Sequence, residues 1–305
     1  MKTVKIIFIL LSFVAGLASL TSCSDDGPDI AEAPVFAMDE NYEITATCAN
    51  AYKAYVNGIE TILPYTITQT YKQQTIVVSG YGYGINLQNS DTVEQTFEVP
   101  AIEDNHEYVD LGLPSGTLWA TCNVGATAPE EYGDYFAWAE TVPNKDFYQW
   151  STTPYVVIED GQVHFTKYNT KESLGPVDNK TELDPEDDAA YVNWGEEWRM
   201  PSKEQIDELS ANCTWVWTQV NGVNGQLATG PNGNTIFFPA AGSRLEYDLS
   251  GAGERGHYWT RSLYILTPTV TFPNSGYKLY VTNNTFGWNS GNRNCGFVVR
   301  AVRAN

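Results

Sequence analysis

The chain is expected to fold as an α+β domain preceded by a small all-β domain, and three observations carry that expectation. Residues 37–102 hold short alternating strands separated by turn residues, Asn57-Gly58 among them; both positions of such a turn need positive φ, which makes Asn-Gly the strongest short hairpin signal. Beyond residue 180, two helix starts are followed by a series of apolar, β-branched and aromatic runs, the pattern of helices packed on a sheet. With 305 residues, 42% of them hydrophobic, the chain has room for two cores.

At the N-terminus, Lys2 and Lys5 precede IIFILLSFVAGLASL, an apolar run shorter than the roughly 20 residues a membrane helix needs. Its length and flanks are those of a secretion signal, residues 1–22. Leu20-Thr21-Ser22-Cys23 resembles the lipobox of bacterial lipoproteins, which implies cleavage before Cys23, acylation of its thiol, and membrane attachment through that lipid alone. Acyl burial contributes about 0.8 kcal/mol per CH2, so several chains hold a protein permanently. Asp25 and Asp26 resemble the acidic export tag of Bacteroidetes surface lipoproteins, which implies an outer-membrane protein facing the exterior. Residues 23–36, small, acidic and proline-containing, read as a flexible tether. Tyr42-Ile44-Ala46, AYV, IETIL, TIVVSGY and TVEQTFEV then read as strands of a small immunoglobulin-like β-sandwich over 37–103, a spacer.

The second domain is placed at 106–305. Asp184 can cap a helix, Pro185 suits its first position, and Glu186, Asp187 and Asp188 favour the positive end of its dipole. AAYVNW follows, with Gly195 placed to stop it. Ser202-Lys203-Glu204-Gln205 is a capping box for a second helix, KEQIDELSAN, whose Ile206 and Leu209 face a sheet. TWVWTQV, NTIFFPAAG, YKLYVTN and GFVVRAVR read as strands. The acids at 184–188 also invite a calcium reading, since hard cations take several oxygen ligands. They lack the sixth-position glycine and distal glutamate of an EF-hand loop, with Ala189 and Gly195 at those places. Capping accounts for them without a metal.

The stretch EYVDLGLPSGTLWATCNVGATAPEEYGDYFAWAE at 107–140, with NWGEEWRMPSKEQIDEL, CTWVWTQVNGVNG and GFVVRAVR, resembles the Fibrobacter succinogenes major paralogous domain family of bacterial surface proteins. The resemblance covers roughly 107–303 and implies a variant of the C-type lectin-like fold. Members of that family mostly carry no assigned chemistry, so the likeness implies a fold more than a function. The Glu-Pro-Asn and Gln-Pro-Asp triplets of calcium-dependent sugar binding are absent; Val142-Pro143-Asn144, Gly230-Pro231-Asn232 and Phe272-Pro273-Asn274 come nearest. Formylglycine-generating relatives of the fold use closely spaced cysteines, whereas Cys122, Cys213 and Cys295 are far apart.

No catalytic residue, cofactor or metal is expected. His106, His164 and His257 fit no nucleophile-base-acid spacing. Besides Cys23, four cysteines allow three pairings, with buried thiols as the alternative. A net charge of −20, from 37 acidic and 17 basic residues, sets nucleic acid aside as a partner. Nine tryptophans and nineteen tyrosines exceed what a core demands. Trp119, Trp194, Trp198, Leu209 and Trp215 are expected to build the frame. Residues 243–294 mix Tyr, Trp, Asn, Arg, Ser and Gly, the composition of recognition surfaces. Tyr277, Leu279 and Val281 there read as one strand with alternate residues buried. Arg244, Tyr247, Asp248, His257, Tyr258, Trp259, Arg261, Tyr264, Trp288, Asn289, Asn292 and Arg293 fall in glycine-rich or asparagine-rich stretches that read as loops on a rigid scaffold. They are the expected ligand face of a non-catalytic module for a glycan or protein, serving adhesion or nutrient capture. The alternative is a structural or assembly subunit of a surface complex, in which the same face is a permanent protein interface.

Overall fold

The computed structural model describes residues 29–70, 72–267 and 270–303. The signal, Cys23 and the first part of the tether lie outside the described residues. The chain divides into two compact units, one of Met1–Thr66 and Val77–Phe97, the other of Ile67–Ile76 and Glu98–Asn305. The second unit thus begins earlier than residue 106 and takes in a segment that the sequence assigns to the first. Both units are rich in β-sheet, and helices are few. Among the described residues no helix is long and apolar enough to cross a membrane.

The first seven strands are β1 (Val35–Met38), β2 (Glu43–Thr47), β3 (Ala51–Val56), β4 (Ile59–Glu60), β5 (Tyr65–Thr66), β6 (Gln74–Tyr83) and β7 (Val93–Val99). They form two sheets, ordered β1-β2-β5 and β4-β3-β6-β7. Asn57 and Gly58 have φ of 49° and 79°, and Val56 pairs with Ile59 across them, so the turn residues do what their chemistry suits them for. Phe36, Ile44, Ala54, Val56 and Val78 are buried. The tether expectation fails over 29–36. Ala31 N–H donates to Gln88 O at 2.8 Å and Gln88 N–H to Asp29 O at 2.9 Å, while Ala31 and Phe36 are buried. Two apolar side chains that find a core outweigh the proline and acids around them.

The second unit contains β8 (Tyr108–Asp110), β9 (Leu118–Ala120), β10 (Val156–Glu159), β11 (Gln162–Phe165), α1 (Ala189–Trp194), α2 (Lys203–Asn212), β12 (Thr214–Val220), β13 (Val223–Thr229), β14 (Thr235–Pro239), β15 (Ala241–Leu245), β16 (Asp248–Ala252), β17 (Arg255–Thr267), β18 (Val270–Thr282), β19 (Phe286–Asn292) and β20 (Val302–Arg303). Its largest sheet runs β16-β15-β17-β18-β19; smaller ones are β12-β13-β14, β20-β9-β8 and β10-β11. The capping box of α2 forms, with Ser202 Oγ accepting from Gln205 N–H and Gln205 Oε1 accepting from Ser202 N–H. Ile206 and Leu209 are buried against Phe238, Tyr258 and Leu279. For α1 the cap is Asp188, whose carboxylate accepts from the Ala190 and Tyr191 amides. Asp184 instead precedes a single 3-10 turn, Pro185–Asp187, without a side-chain cap bond. Lys167 and Lys180 hold its carboxylate, which takes it away from the helix end.

The correction that matters most for function concerns 243–294. Rather than loops, most of the described residues here make strands β15 to β19, two of them thirteen residues long, while Tyr247 and Arg293 lie in turns. Successive residues of β17 serve two different cores. Tyr258 packs with Trp119 and Phe238, and Trp259 with Trp138, Trp198 and Phe297, as the period of two dictates. The glycines that suggest loops serve packing here. A Cβ on Gly276 would stand 2.8 Å from the Trp138 ring, and one on Gly291 2.5 Å from Phe297. Bare backbone at these places lets large rings lie flat on the sheet.

Candidate functional site

The expected ligand face does not assemble as one surface. Tyr258 and Trp259 are core residues, 1% and 0% exposed, with Tyr258 Oη donating to Pro239 O and Trp259 Nε1 to Phe136 O. Arg293 is fully buried. Its guanidinium lies 4.9 Å from the Trp138 ring centroid and 4.6 Å from that of Phe165, and it donates to Pro273 O at 3.1 Å. His257 is buried too, stacked on Phe297 at 4.9 Å. These four are removed from the ligand face. Alternation along β17 decides where His257, Tyr258 and Trp259 point, whereas Arg293 is buried from the turn that follows β19.

Arg261 is a strap. It pairs with Glu182 at 3.1 Å and donates to Met200 O at 2.9 Å, fixing β17 to the segments that flank α1. Arg244, Tyr247 and Asp248 group at the β15-β16 hairpin. There Tyr247 is exposed and stacks on Phe147 at 4.4 Å, and Arg244 covers the Tyr135 ring at 4.9 Å. Asn289 and Asn292 are exposed on β19, and Asn292 Oδ1 accepts from Ser275 Oγ.

Tyr264 and Trp288 belong to something the sequence reading missed in part. Phe272 stacks on Tyr264 with centroids 5.2 Å apart. Tyr264 meets Tyr277 edge-to-face at 5.0 Å, and Tyr277 meets Trp288 the same way at 5.5 Å. These four rings form a continuous row across β17, β18 and β19. Tyr264, Phe272 and Tyr277 are half-buried, and Trp288, at one end, is 44% exposed. Register shifts between Trp259 and Leu263, and again before Ile265, break the alternation and bring Tyr264 onto this side. Each end carries an ammonium: Lys171 Nζ is 5.3 Å from the Phe272 ring, and Lys203 Nζ, at the start of α2, is 5.0 Å from Trp288 and 5.7 Å from Tyr277. Lys203 is also paired with Asp207 one turn along α2. Tyr277 Oη donates to Ile265 O, and burial raises its phenol above the ordinary value, so it stays protonated at neutral pH.

The row can present ring faces and edges to an apolar or C–H-bearing surface, with positive charge at both ends to orient a polar partner. Tyr277 reads from sequence as a plain strand residue, and Phe272 carries no signal until the hairpin register puts it beside Tyr264. Regular pairing inward from Thr267 and Val270 would set Tyr264 opposite Pro273; the register shifts of this hairpin make Phe272 its neighbour instead.

The acidic cluster is built differently from a cation site. Asp184, Glu186 and Asp187 bring ligand atoms within 4.8 Å of one another, but Lys167 Nζ stands among them at 2.7, 3.8 and 2.6 Å. Tyr155 Oη also donates to Asp187. An ammonium thus fills the position an ion would take. Cys48, Cys122, Cys213 and Cys295 are free thiols; burial pushes those of Cys122, Cys213 and Cys295 up, to about 11 for Cys213. Comparison with known proteins finds no matching family model, no matching curated protein and no matching solved structure.

Proposed function

We propose that the chain is a lipid-anchored outer-membrane protein, acylated on Cys23, whose second unit is a non-catalytic binding module for a glycan or protein ligand. In this reading the first unit is an immunoglobulin-like spacer. The second is an α+β, C-type lectin-like domain of the Fibrobacter succinogenes major paralogous kind, and ligand capture serves adhesion or nutrient uptake. The observation that supports the reading is the row Phe272, Tyr264, Tyr277 and Trp288, with centroids 5.0 to 5.5 Å apart and its Trp288 end open to solvent. Aromatic side chains that are rigid, partly exposed and flanked by cations supply contact area at low entropic cost, as binding surfaces require. The excess of acidic over basic residues disfavours polyanions such as nucleic acid.

A glycan array probed with the full-length chain tests this. Selective binding is expected, and Trp288→Ala or Tyr264→Ala should lower the affinity by about tenfold or more, roughly 1.4 kcal/mol. Binding that survives both substitutions would remove the row from the site. An array on which the wild type binds nothing would point to a protein ligand or to the assembly-subunit alternative.

A further inference from the structure

Most lysines of the second unit are matched with acids. Lys145 pairs with Glu140, Lys167 with Asp184 and Asp187, Lys180 with Asp184 and Lys203 with Asp207. Lys278, in the middle of β18, differs. It is only 8% exposed, yet no ion pair or hydrogen bond reaches its nitrogen among the described residues. Its Nζ lies 4.7 Å from the Phe297 ring centroid and 5.8 Å from that of Tyr280, so the ammonium rests on two ring faces. The groups around it are His257 and Arg255 from β17 and Cys295 from the segment after β19. His257 touches the same two rings, stacked on Phe297 at 4.9 Å and tilted against Tyr280 at 5.0 Å. The side-chain nitrogens that are wholly enclosed and unbonded include both of His257, but not Nζ of Lys278. The Lys278 amine is thus not wholly enclosed, unlike the imidazole beside it.

From this placement we infer that Lys278 is a covalent modification site, an amine that condenses with small aldehydes ahead of the other lysines of the chain. An ammonium without a carboxylate, held in an apolar frame with a guanidinium acting on it, keeps only the weak attraction of the ring faces and loses the pairing and hydration that favour its charged form. Burial brings Lys278 down to about 8, with Arg255 adding to the effect and the Cys295 thiol opposing it. The reaction begins when the ammonium releases a proton to water. The Nζ lone pair then attacks the carbonyl carbon, the oxygen takes up a proton to give a carbinolamine, and loss of water leaves the imine. No oxidant or metal is needed. This site is separate from the aromatic row and does not depend on the ligand proposed there.

The full-length chain treated with formaldehyde and cyanoborohydride, which reduces the imine to a methylamine, provides the test. Peptide mass spectrometry should find Lys278 methylated roughly tenfold or more faster at pH 7 than Lys171, whose amine also lies on a ring without a carboxylate partner. The rate at Lys278 should level off above about pH 8, while the rates at Lys53 and Lys72 keep climbing, since Glu60 holds the Lys53 amine above its ordinary value and the Tyr191 hydroxyl, then Glu196, do so for Lys72. A Lys278 rate equal to or below that of Lys171, or one that climbs in parallel with Lys53 and Lys72, overturns the inference. Both outcomes are read on the unsubstituted protein, so no variant has to fold.

Discussion

His257 has neither ring nitrogen bonded, and its ring packs against Phe297 and Tyr280. A protonated imidazole there would lose its hydration without gaining a partner. Burial first, then the charges of Lys278 and Arg255, lower it to about 3. In the unfolded chain the group returns to its ordinary value near 6.5, so between these two values the unfolded state binds the extra proton. The contribution is fully present above about pH 6.5 and is lost as pH falls toward 3, at up to about 1.4 kcal/mol per pH unit. Urea denaturation at pH 7, 6, 5 and 4 should therefore show the midpoint falling with pH, and more steeply for the wild type than for His257→Phe. Identical slopes in the two proteins would mean that His257 is charged or solvated when folded.

At the scale of elements, β17 and β18 explain both what the sequence reveals and what it hides. The α2 helix is legible because its signals are local: a capping box at Ser202 and Gln205, then apolar residues three apart. The Asn57-Gly58 hairpin is legible for the same reason. The destination of 243–294 is not, since whether a glycine marks a loop or leaves room for a ring depends on what packs against it, and Gly276 and Gly291 are seats for Trp138 and Phe297. The site suffers likewise. Composition points to Tyr264 and Trp288, but Phe272 and Tyr277 join them only through pairings and bulges set by the whole sheet. Two tryptophans of the same sheet, one on β17 and one on β19, show the difference in a measurable way. Trp259, with no exposed surface, should cost about 3–5 kcal/mol when replaced by alanine. Trp288→Ala should leave the melting temperature nearly unchanged, since the ring is 44% exposed. Comparable losses for both would make the row part of the core and end its candidacy as a binding face.

For the whole molecule, the proposed location rests on the proposed anchor. The proposal that Cys23 carries the lipid predicts that Cys23→Ala moves the protein from the detergent phase to the aqueous phase in a partition assay. Continued detergent partitioning of that variant would rule the cysteine out. Whatever its location, the second unit has a topology with a kinetic side. Val302 on β20 pairs with Trp119 on β9, and Arg199 bridges to Val302 as well. The Val302–Trp119 pairing joins residues about 180 positions apart, and contacts of such separation are formed late because a long loop must close first. A chain emerging in order cannot finish this sheet until residue 303 is made. Through most of its synthesis the second unit therefore carries β8 and β9 with an unpaired edge, and that sheet closes only when its last strand arrives.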